Sequence, residues 1–485
     1  MESEKIKQDP KTLDNTTYYS CYYLPSLIYS EGISVPFCES RRPDPSFDLS
    51  NHSERRRTNS LSSLPKSMAS FFEIGIFILL FSTLFFQVFL FLTFLENREK
   101  IRTDTKREHI PDHLLPSVTI IAPSWNEEKT LAGTVKSLLA LDYPADKLQI
   151  FLIDDGSTDD TLAVARTFES HPQITVFTKE NGGKHTALNL GLTHLKTDLI
   201  GCLDADSFVA SDALREIVPY FVDKEVMAVT PSVQIHKPAN ILQRIQSAEY
   251  MVGAFTRKLF GILNALYVTP GPFSIYRKEV FEQLGPFKPA HNTEDMEMAM
   301  RMQSNHYRIE NAHTAVVYTV APAKVKALYK QRVRWVSGFL KNTVLDYNFM
   351  LFRRQYGYLG MLTLPFALIS VFIALFFTFL ALRSAWLTLH GKYLEYSAVG
   401  FHPHFEFKWP HIDWFFWNFD MSRLLTYTLF FTTILLVFFG GKLVTKRFHF
   451  SRDMLYFLLF YGLLAPFWLA KSVYNLIRAK QANWR

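Results

Sequence analysis

Cysteine is nearly absent: the 485 residues hold only Cys21, Cys38 and Cys202, an odd number with no metal-like spacing. A disulfide framework is thereby excluded, and no cysteine zinc site is suggested. No internal repeat points to a solenoid. No apolar core closely follows the amino terminus, so a secretory leader is not expected. A Walker phosphate loop is missing too, because Asn181-Gly182-Gly183-Lys184 lacks the longer Gly-to-Gly-Lys interval. The net charge of +7 is a modest excess. Its Lys and Arg flank apolar runs, which fits anionic lipid headgroups and positive-inside orientation better than nucleic acid. Nucleic acid is therefore not expected as a partner.

What the chain does have is phenylalanine, 44 of them, clustered towards its two ends. The apolar stretches Phe71–Leu95, Gly357–Leu382, Leu424–Gly441 and Met454–Leu476 are apolar all round, unlike amphipathic core helices. The first two reach the roughly 20 residues needed to cross a bilayer core, and the third is near the lower limit. The fourth carries Pro466, which a membrane helix tolerates.

These runs divide the chain. Residues 1–70 are rich in Ser, Pro, Asn and charge and read as a disordered tail. A membrane helix over 71–96 leads into a basic linker, 97–116, where Arg98, Lys100, Arg102, Lys106 and Arg107 place the next region in the cytoplasm. An α/β domain follows over 117–343, then an interface segment at 344–356 and a second membrane helix at 357–383. Residues 384–423 read as an external or interfacial loop, 424–441 as a third span and 454–476 as a membrane or re-entrant helix. Three spans after the domain would put the basic residues 478–485 outside, so the charge rule fails at the ends or one segment does not cross. The expected location is a multi-pass position in the cell membrane, with the lipid bilayer as one partner.

Within the α/β region, strand-like runs at Val118–Pro123, Leu148–Ile153, Ile174–Phe177 and Leu199–Leu203 alternate with helical periods. That alternation predicts a largely parallel sheet, with ligands beyond the strand carboxyl ends. Polar signatures stand at those ends. Asp204-Ala205-Asp206 offers two hard oxygen ligands of the kind Mg²⁺ or Mn²⁺ takes beside substrate phosphates. Asp154-Asp155-Gly156 could accept hydrogen bonds from a nucleotide base or ribose, while Ser157 or Thr158 would cap the next helix. Lys184 after two glycines supplies a charge for phosphate, although a generic turn has the same composition. Thr293-Glu294-Asp295 reads as a helix cap with an acidic first turn, a description that leaves catalysis open. Gln331, Arg334 and Trp335 share one helical face and suit a diphosphate and a sugar ring; an interfacial Trp with snorkelling Arg would have the same pattern.

Taken in order, Asp-Asp-Gly, Asp-x-Asp, Thr-Glu-Asp and Gln-x-x-Arg-Trp resemble the processive family-two glycosyltransferases. That group holds cellulose, chitin, hyaluronan and poly-N-acetylglucosamine synthases. The resemblance covers about Ser117–Trp335 and the flanking spans. It implies a GT-A fold, a Rossmann-like nucleotide-sugar-binding α/β domain inserted between transmembrane helices. It also implies a role for each motif. Asp154 or Asp155 would contact the uracil of a UDP-sugar, and Asp206, helped by Asp204, would bind Mg²⁺ or Mn²⁺ on the diphosphate. Asp295 would be the general base, supported by Glu294. Gln331 and Arg334 would grip the diphosphate beside Lys184, and Trp335 would stack on the acceptor. The implied partners are a UDP-sugar, a growing polysaccharide and an accessory export subunit. UDP-N-acetylglucosamine is favoured over UDP-glucose, partly because no cyclic-nucleotide domain follows the last span. The alternative is a non-processive membrane transferase acting on a lipid or a single acceptor. The loop Thr269-Pro270-Gly271-Pro272-Phe273 lies near the acceptor position in this family, and no role for its prolines is legible.

Overall fold

The computed structural model describes residues 66–105, 107, 110–399, 420–445 and 451–478. Of the expected tail at 1–70, residues 1–65 lie outside the described residues and 66–70 begin a helix; of the expected loop at 384–423, residues 400–419 lie outside them. The chain divides into two units, Met1–Phe71 and Phe72–Arg485.

Helix α1 (Lys66–Glu96) and the short α2 (Arg98–Asp104) lead into the α/β domain. There β1 (Val118–Ser124), α3 (Leu131–Leu139), β2 (Leu148–Asp155), α4 (Thr161–Arg166), β3 (Ile174–Lys179), α5 (Lys184–Thr193) and β4 (Leu199–Cys202) alternate as the sequence implies. The second half runs through β5 (Ser207–Val209), α6 (Ala213–Ile217), β6 (Val226–Ile235), α7 (Ile241–Ile262), β7 (Ser274–Arg277) and α8 (Lys278–Leu284). It closes with α9 (Glu294–Ser304), β8 (Arg308–Thr319) and α10 (Val325–Lys341). The apolar helices α11 (Leu364–Val399), α12 (Met421–Thr445) and α13 (Arg452–Ile477) complete the described chain.

One sheet of eight strands organises the domain in the order β3-β2-β1-β4-β7-β6-β8-β5. Strands β1 to β4 are mutually parallel, as expected, but β7 pairs antiparallel with both β4 and β6, and β5 pairs antiparallel with β8. Strands β6 and β8 are again parallel, so the sheet is mixed but largely parallel, as expected. The first four strands are joined through helices, which permits parallel pairing. Beyond Cys202, short strands return along the loop that carries Phe273, whose N–H donates to the Cys202 carbonyl at 2.6 Å.

Alternation along β1 and β2 assigns the core. Val118, Ile120, Leu148, Ile150 and Leu152 pack on one face with Leu131, Val135 and Leu138 of α3. Ile121, Phe151 and Ile153 pack on the other with Ala187 and Leu188 of α5 and Met298, Ala299 and Met302 of α9. Burial on both faces explains why these strands read as unbroken apolar runs.

Among the described residues, four helices are long and apolar enough to cross a membrane, with candidate spans Glu73–Glu96, Leu359–Ala398, Met421–Leu443 and Arg452–Ile477. They present Phe81, Phe85, Phe372, Phe379, Phe430, Phe431 and Phe467 outward, a surface that suits hydrocarbon rather than water. Helix α11 runs on to Val399, so the loop expected from 384 begins inside a helix. Its 36 residues span about 54 Å at 1.5 Å per residue, longer than a hydrocarbon core of about 30 Å. Helix α13 accommodates Pro466 without breaking. Helices α7 and α10 bridge the two parts. Ala248 and Met251 of α7 pack on Val437 and Met454, and Leu328 and Val333 of α10 pack on Trp468.

Candidate active site

Parallel strands β2 and β4 end on acidic residues, and the two ends are built differently. At β2, Asp154 accepts from the Ser157 N–H at 3.3 Å and the Thr178 hydroxyl at 3.2 Å. Asp155 accepts from the Lys179 ammonium at 2.7 Å and from the Gly182 and Gly183 N–H groups at 3.1 and 2.9 Å. Asn181 in turn donates its side-chain amide to the Asp155 carbonyl at 2.9 Å. Gly156 sits at φ +68, where a Cβ would meet the Asn181 nitrogen at 2.7 Å. Glycine is thus required for the two loops to interlock. Both carboxylates are buried and shape this platform.

Ser157 and Thr158 do not cap α4, contrary to expectation. The Ser157 hydroxyl accepts from the Asn126 N–H at 3.0 Å, and the Thr158 N–H donates to the Asn126 side-chain oxygen at 2.9 Å. They tie the β1 loop to the β2 loop instead. Asp160 stands at the start of α4 without a side-chain cap, and the carboxylate of Asp159 before it accepts the Thr161 N–H at 3.0 Å.

At β4 the carboxylates gather without enough donors. Lys184, the first residue of α5, lies 2.6 Å from Asp204 and 3.1 Å from Glu294. Burial alone would lower the lysine's pKa, but Asp204, Glu294 and Asp295 outweigh it and hold the ammonium charged. Glu294 also overcomes its burial, mainly through Lys184, and stays below the usual carboxylate range. Two other carboxyls do not. Burial and the charge of Glu294 push Asp295 up to about 6, against Lys184 and Arg334. Burial, Asp204 and Glu127 push Asp206 up to about 7.

The Thr293-Glu294-Asp295 turn is positioned by strain and by α10. Ala290, His291 and Asn292 have φ of 41, 56 and 65, three consecutive non-glycine residues in the left-handed region. Each such residue costs on the order of 1 kcal/mol, so the surroundings must enforce them. Arg334 donates to the Asn292 carbonyl at 3.1 Å, and Asn342 donates to the Thr293 hydroxyl at 2.9 Å. A Cβ on Gly338 would meet Thr293 at 2.4 Å, so α10 packs directly against the turn. Thr293 is therefore held by α10 and does not use its side chain as the expected cap of α9. The Asp295 carboxylate accepts the Met296 N–H at 2.8 Å, in the first turn of α9, where negative charge is favoured.

Gln331, Arg334 and Trp335 lie on α10 as predicted, and the residue between them proves to be a structural clamp. Arg332 is buried, stacks 4.2 Å over the Trp335 ring and pairs with Glu249 at 2.7 Å. Glu249 accepts the Tyr461 hydroxyl of α13 at 3.0 Å, so the indole is braced from an apolar helix.

Two further contributors escaped the sequence reading. Glu127 follows β1 at a strand end, the same positional signal that exposed Asp204. Gly271 lies between two prolines; a Cβ there would fall 2.5 Å from the Lys184 nitrogen and 2.8 Å from an Asp204 oxygen. The loop is anchored below the site by the Thr269 hydroxyl donating to the Asp295 carbonyl at 2.8 Å. Among the described residues, no cluster of three or more His, Cys, Asp or Glu side chains is arranged to hold a metal by itself.

Residues 116–338 match the family model described as glycosyltransferase like family 2. The chain carries a family-two glycosyltransferase domain. Candidate membrane helices stand on both sides of its mixed sheet in the chain. The glycosyltransferase domain is similar to poly-β-1,6-N-acetyl-D-glucosamine synthase of Staphylococcus aureus (strain COL), at 33% identity over 230 residues. The match covers 46% of this chain and 55% of that one, so the chain spans about half the length of the relative. The synthase of the same name from Staphylococcus epidermidis is 30% identical over 239 residues, 48% of this chain and 56% of the relative. Among solved structures, the mannosyltransferase PcManGT from Pyrobaculum calidifontis, in complex with GDP-Man and Mn²⁺, aligns at TM-score 0.45 and 22% identity. That alignment covers 76% of this chain and all of the other. S. aureus TarS 1–349 with UDP-GlcNAc aligns at TM-score 0.33 and 18% identity, over 46% and 65% of the two chains.

Proposed function

We propose that the protein is an inverting, processive glycosyltransferase that adds N-acetylglucosamine from UDP-N-acetylglucosamine to a growing β-linked polysaccharide. The observation that carries this reading is the convergence of Asp204, Asp206, Glu294 and Asp295 around Lys184, with the Asp295 carboxyl raised to about 6. A carboxylate poised there is half-ionised close to neutral pH, which suits a general base.

The donor would lie beyond the carboxyl ends of β1, β2 and β4, with its nucleoside on the Asp154–Gly156 platform. The Asp155 carboxylate is saturated by Lys179, Gly182 and Gly183, so it supports the platform from behind. Lys184 and Arg334 would face the diphosphate, and Gln331 the donor or acceptor beside it. Asp295 would take the proton from the acceptor hydroxyl as the bond to the anomeric carbon forms and the diphosphate leaves. A single in-line displacement of this kind inverts configuration, giving a β-linkage from an α-linked donor. Glu294 keeps Lys184 in place, and Trp335 offers the acceptor sugar an aromatic face.

A divalent cation fits the donor set. Asp206 is driven up by burial and by the charges of Asp204 and Glu127, against the Ser207 hydroxyl and Lys184. Two carboxylates leave the remaining positions to phosphate oxygens and water, the usual arrangement for Mg²⁺. When bound, Mg²⁺ or Mn²⁺ would neutralise the charge that builds on the departing diphosphate. Asp204 and Asp206 would hold it.

The contacts of α7 and α10 with α12 and α13 support delivery of the product towards the bilayer. The basic residues Arg98, Lys100, Arg102 and Arg107 support a cytoplasmic position for the domain. The test is incubation of purified full-length protein with UDP-N-acetylglucosamine and Mg²⁺ or Mn²⁺, followed by digestion with linkage-specific hydrolases. Long polymer sensitive to a β-N-acetylglucosaminidase is expected. Product stopping at one added sugar would overturn processivity, and polymer made only from UDP-glucose would overturn the donor.

A further inference from the structure

The chain leaves α10 by a wide turn. Asn342–Asp346 is π-helical, and the Tyr347 N–H donates to the Asn342 carbonyl, five residues back, at 2.8 Å. Single π turns of this kind are frequent at functional sites. Here the extra width lets three side chains bear on one neighbour. Asn342 donates to the Thr293 hydroxyl at 2.9 Å, His291 Nε2 donates to the Asp346 carboxylate at 3.1 Å, and the Tyr347 hydroxyl donates to Glu297 at 2.7 Å. The three partners bracket Glu294 and Asp295: His291 and Thr293 stand before them, Glu297 after.

The two sides of the bracket differ. On the α9 side, Glu297 is buried and also pairs with Arg301 at 2.6 Å, so the helix is firmly seated. On the other side stand Ala290, His291 and Asn292, all left-handed. Their own hydrogen bonds are local: the Asn292 N–H donates to the Pro289 carbonyl at 2.9 Å and the Thr293 N–H to the Ala290 carbonyl at 3.0 Å. Left-handed residues persist only where the surroundings enforce them. His291 is the middle one of the three, and Asp346 ties its side chain to the turn after α10. Side-chain exposure is 26% for His291 and 45% for Asp346, and so open a pair adds little to stability. Its consequence is geometric: it fixes a strained turn four residues before the proposed base.

We propose that His291 and Asp346 are positioning residues for Asp295, their contact holding the left-handed turn and thereby the direction in which the Asp295 carboxyl meets the acceptor hydroxyl. The inference rests on the reading of Asp295 as the base. It adds that the segment leading from α10 to α11 sets the aim of that base. A misplacement of about 1 Å can cost on the order of 10²-fold in rate, so even a partial loosening of the turn is visible in kcat.

The test is steady-state transfer from UDP-N-acetylglucosamine by purified full-length protein with Mn²⁺, with kcat, donor KM, UDP affinity and Tm measured for each variant. His291→Asn removes the imidazole but keeps a residue that tolerates the left-handed region. It should lower kcat about tenfold and leave donor KM, UDP affinity and Tm unchanged. Asp346→Ala should do the same. Asp346→Asn, which keeps an oxygen for the imidazole to donate to, should recover most of the rate. The double variant His291→Asn/Asp346→Ala should be no slower than either single one, because both remove the same contact. Wild-type kcat in both single variants, losses that multiply in the double variant, or a fall in Tm that accompanies the loss of rate would each overturn the positioning role. If His291→Asn does not fold, Asp346→Ala against Asp346→Asn decides, and equal kcat in the two overturns it. Wild-type protein that transfers no N-acetylglucosamine would overturn the broader reading; an active wild type with unaffected variants would overturn the positioning role alone.

Discussion

Two acidic pairs stand at comparable places, one after β2 and one after β4, and the protein treats them in opposite ways. Asp154 and Asp155 are buried and supplied with donors: three N–H groups, a hydroxyl and the Lys179 ammonium. Asp204 and Asp206 are crowded with Glu127, Glu294 and Asp295 around one shared lysine. The first pair is finished as folded, and the second is completed by what binds to it. Composition and position in the chain do not distinguish them; the supply of donors does.

The sharpest way to break this comparison is to neutralise one member of each pair. Asp155→Ala strands the Gly182 and Gly183 N–H groups and the Lys179 ammonium, and should cost about 2–4 kcal/mol of stability by denaturant titration. Asp206→Asn should act in the other direction in metal-free protein. The Asp206 carboxyl is raised to about 7, above the ~3.9 of an unfolded chain, so its ionisation opposes folding. The stabilisation by Asn should be absent below about pH 4, grow as pH rises, and be complete above 7, at roughly 1–4 kcal/mol. The same variant should lose metal-dependent donor binding. Loss of stability on both substitutions would mean that the two pairs are alike.

A gentler perturbation uses the shared lysine. Transfer should require ionised Asp295, so kcat/KM should rise with pH and reach half its plateau near 6. Lys184 holds that value down; in Lys184→Met the acidic limb should therefore move to higher pH by about one unit. A limb that stays in place would separate Lys184 from the base. The smallest change is Arg332→Met, which unstacks the brace behind Trp335. It should raise acceptor KM several-fold, about 1 kcal/mol, with donor KM little changed.

Legibility from sequence followed the same division. Strands β1, β2 and β4, and the acidic pairs after β2 and β4, could be read because these strands are buried on both faces and stop at a polar turn. What surrounds Asp295 could not, because it is assembled from distant segments: Lys184, Gly271, Gly338 and Asn342 meet only through the antiparallel turn-back of β7 and the packing of α10. Thr293 illustrates the limit. Local pattern makes it a helix cap, while Asn342 and Ala290 take its hydroxyl in the fold. Helix α11 shows the reverse error, since a fall in apolarity after residue 383 reads as a loop although the helix continues to Val399.

The most direct test of the account is to replace Asp295 by Asn and follow two quantities together: UDP binding, and incorporation of labelled sugar from UDP-N-acetylglucosamine into polymer with Mn²⁺ present. The account predicts unchanged UDP affinity and incorporation reduced at least ~10³-fold relative to wild type. Incorporation at the wild-type rate would contradict it, because the carboxyl raised by Glu294 and burial would then have no part in taking the acceptor's proton.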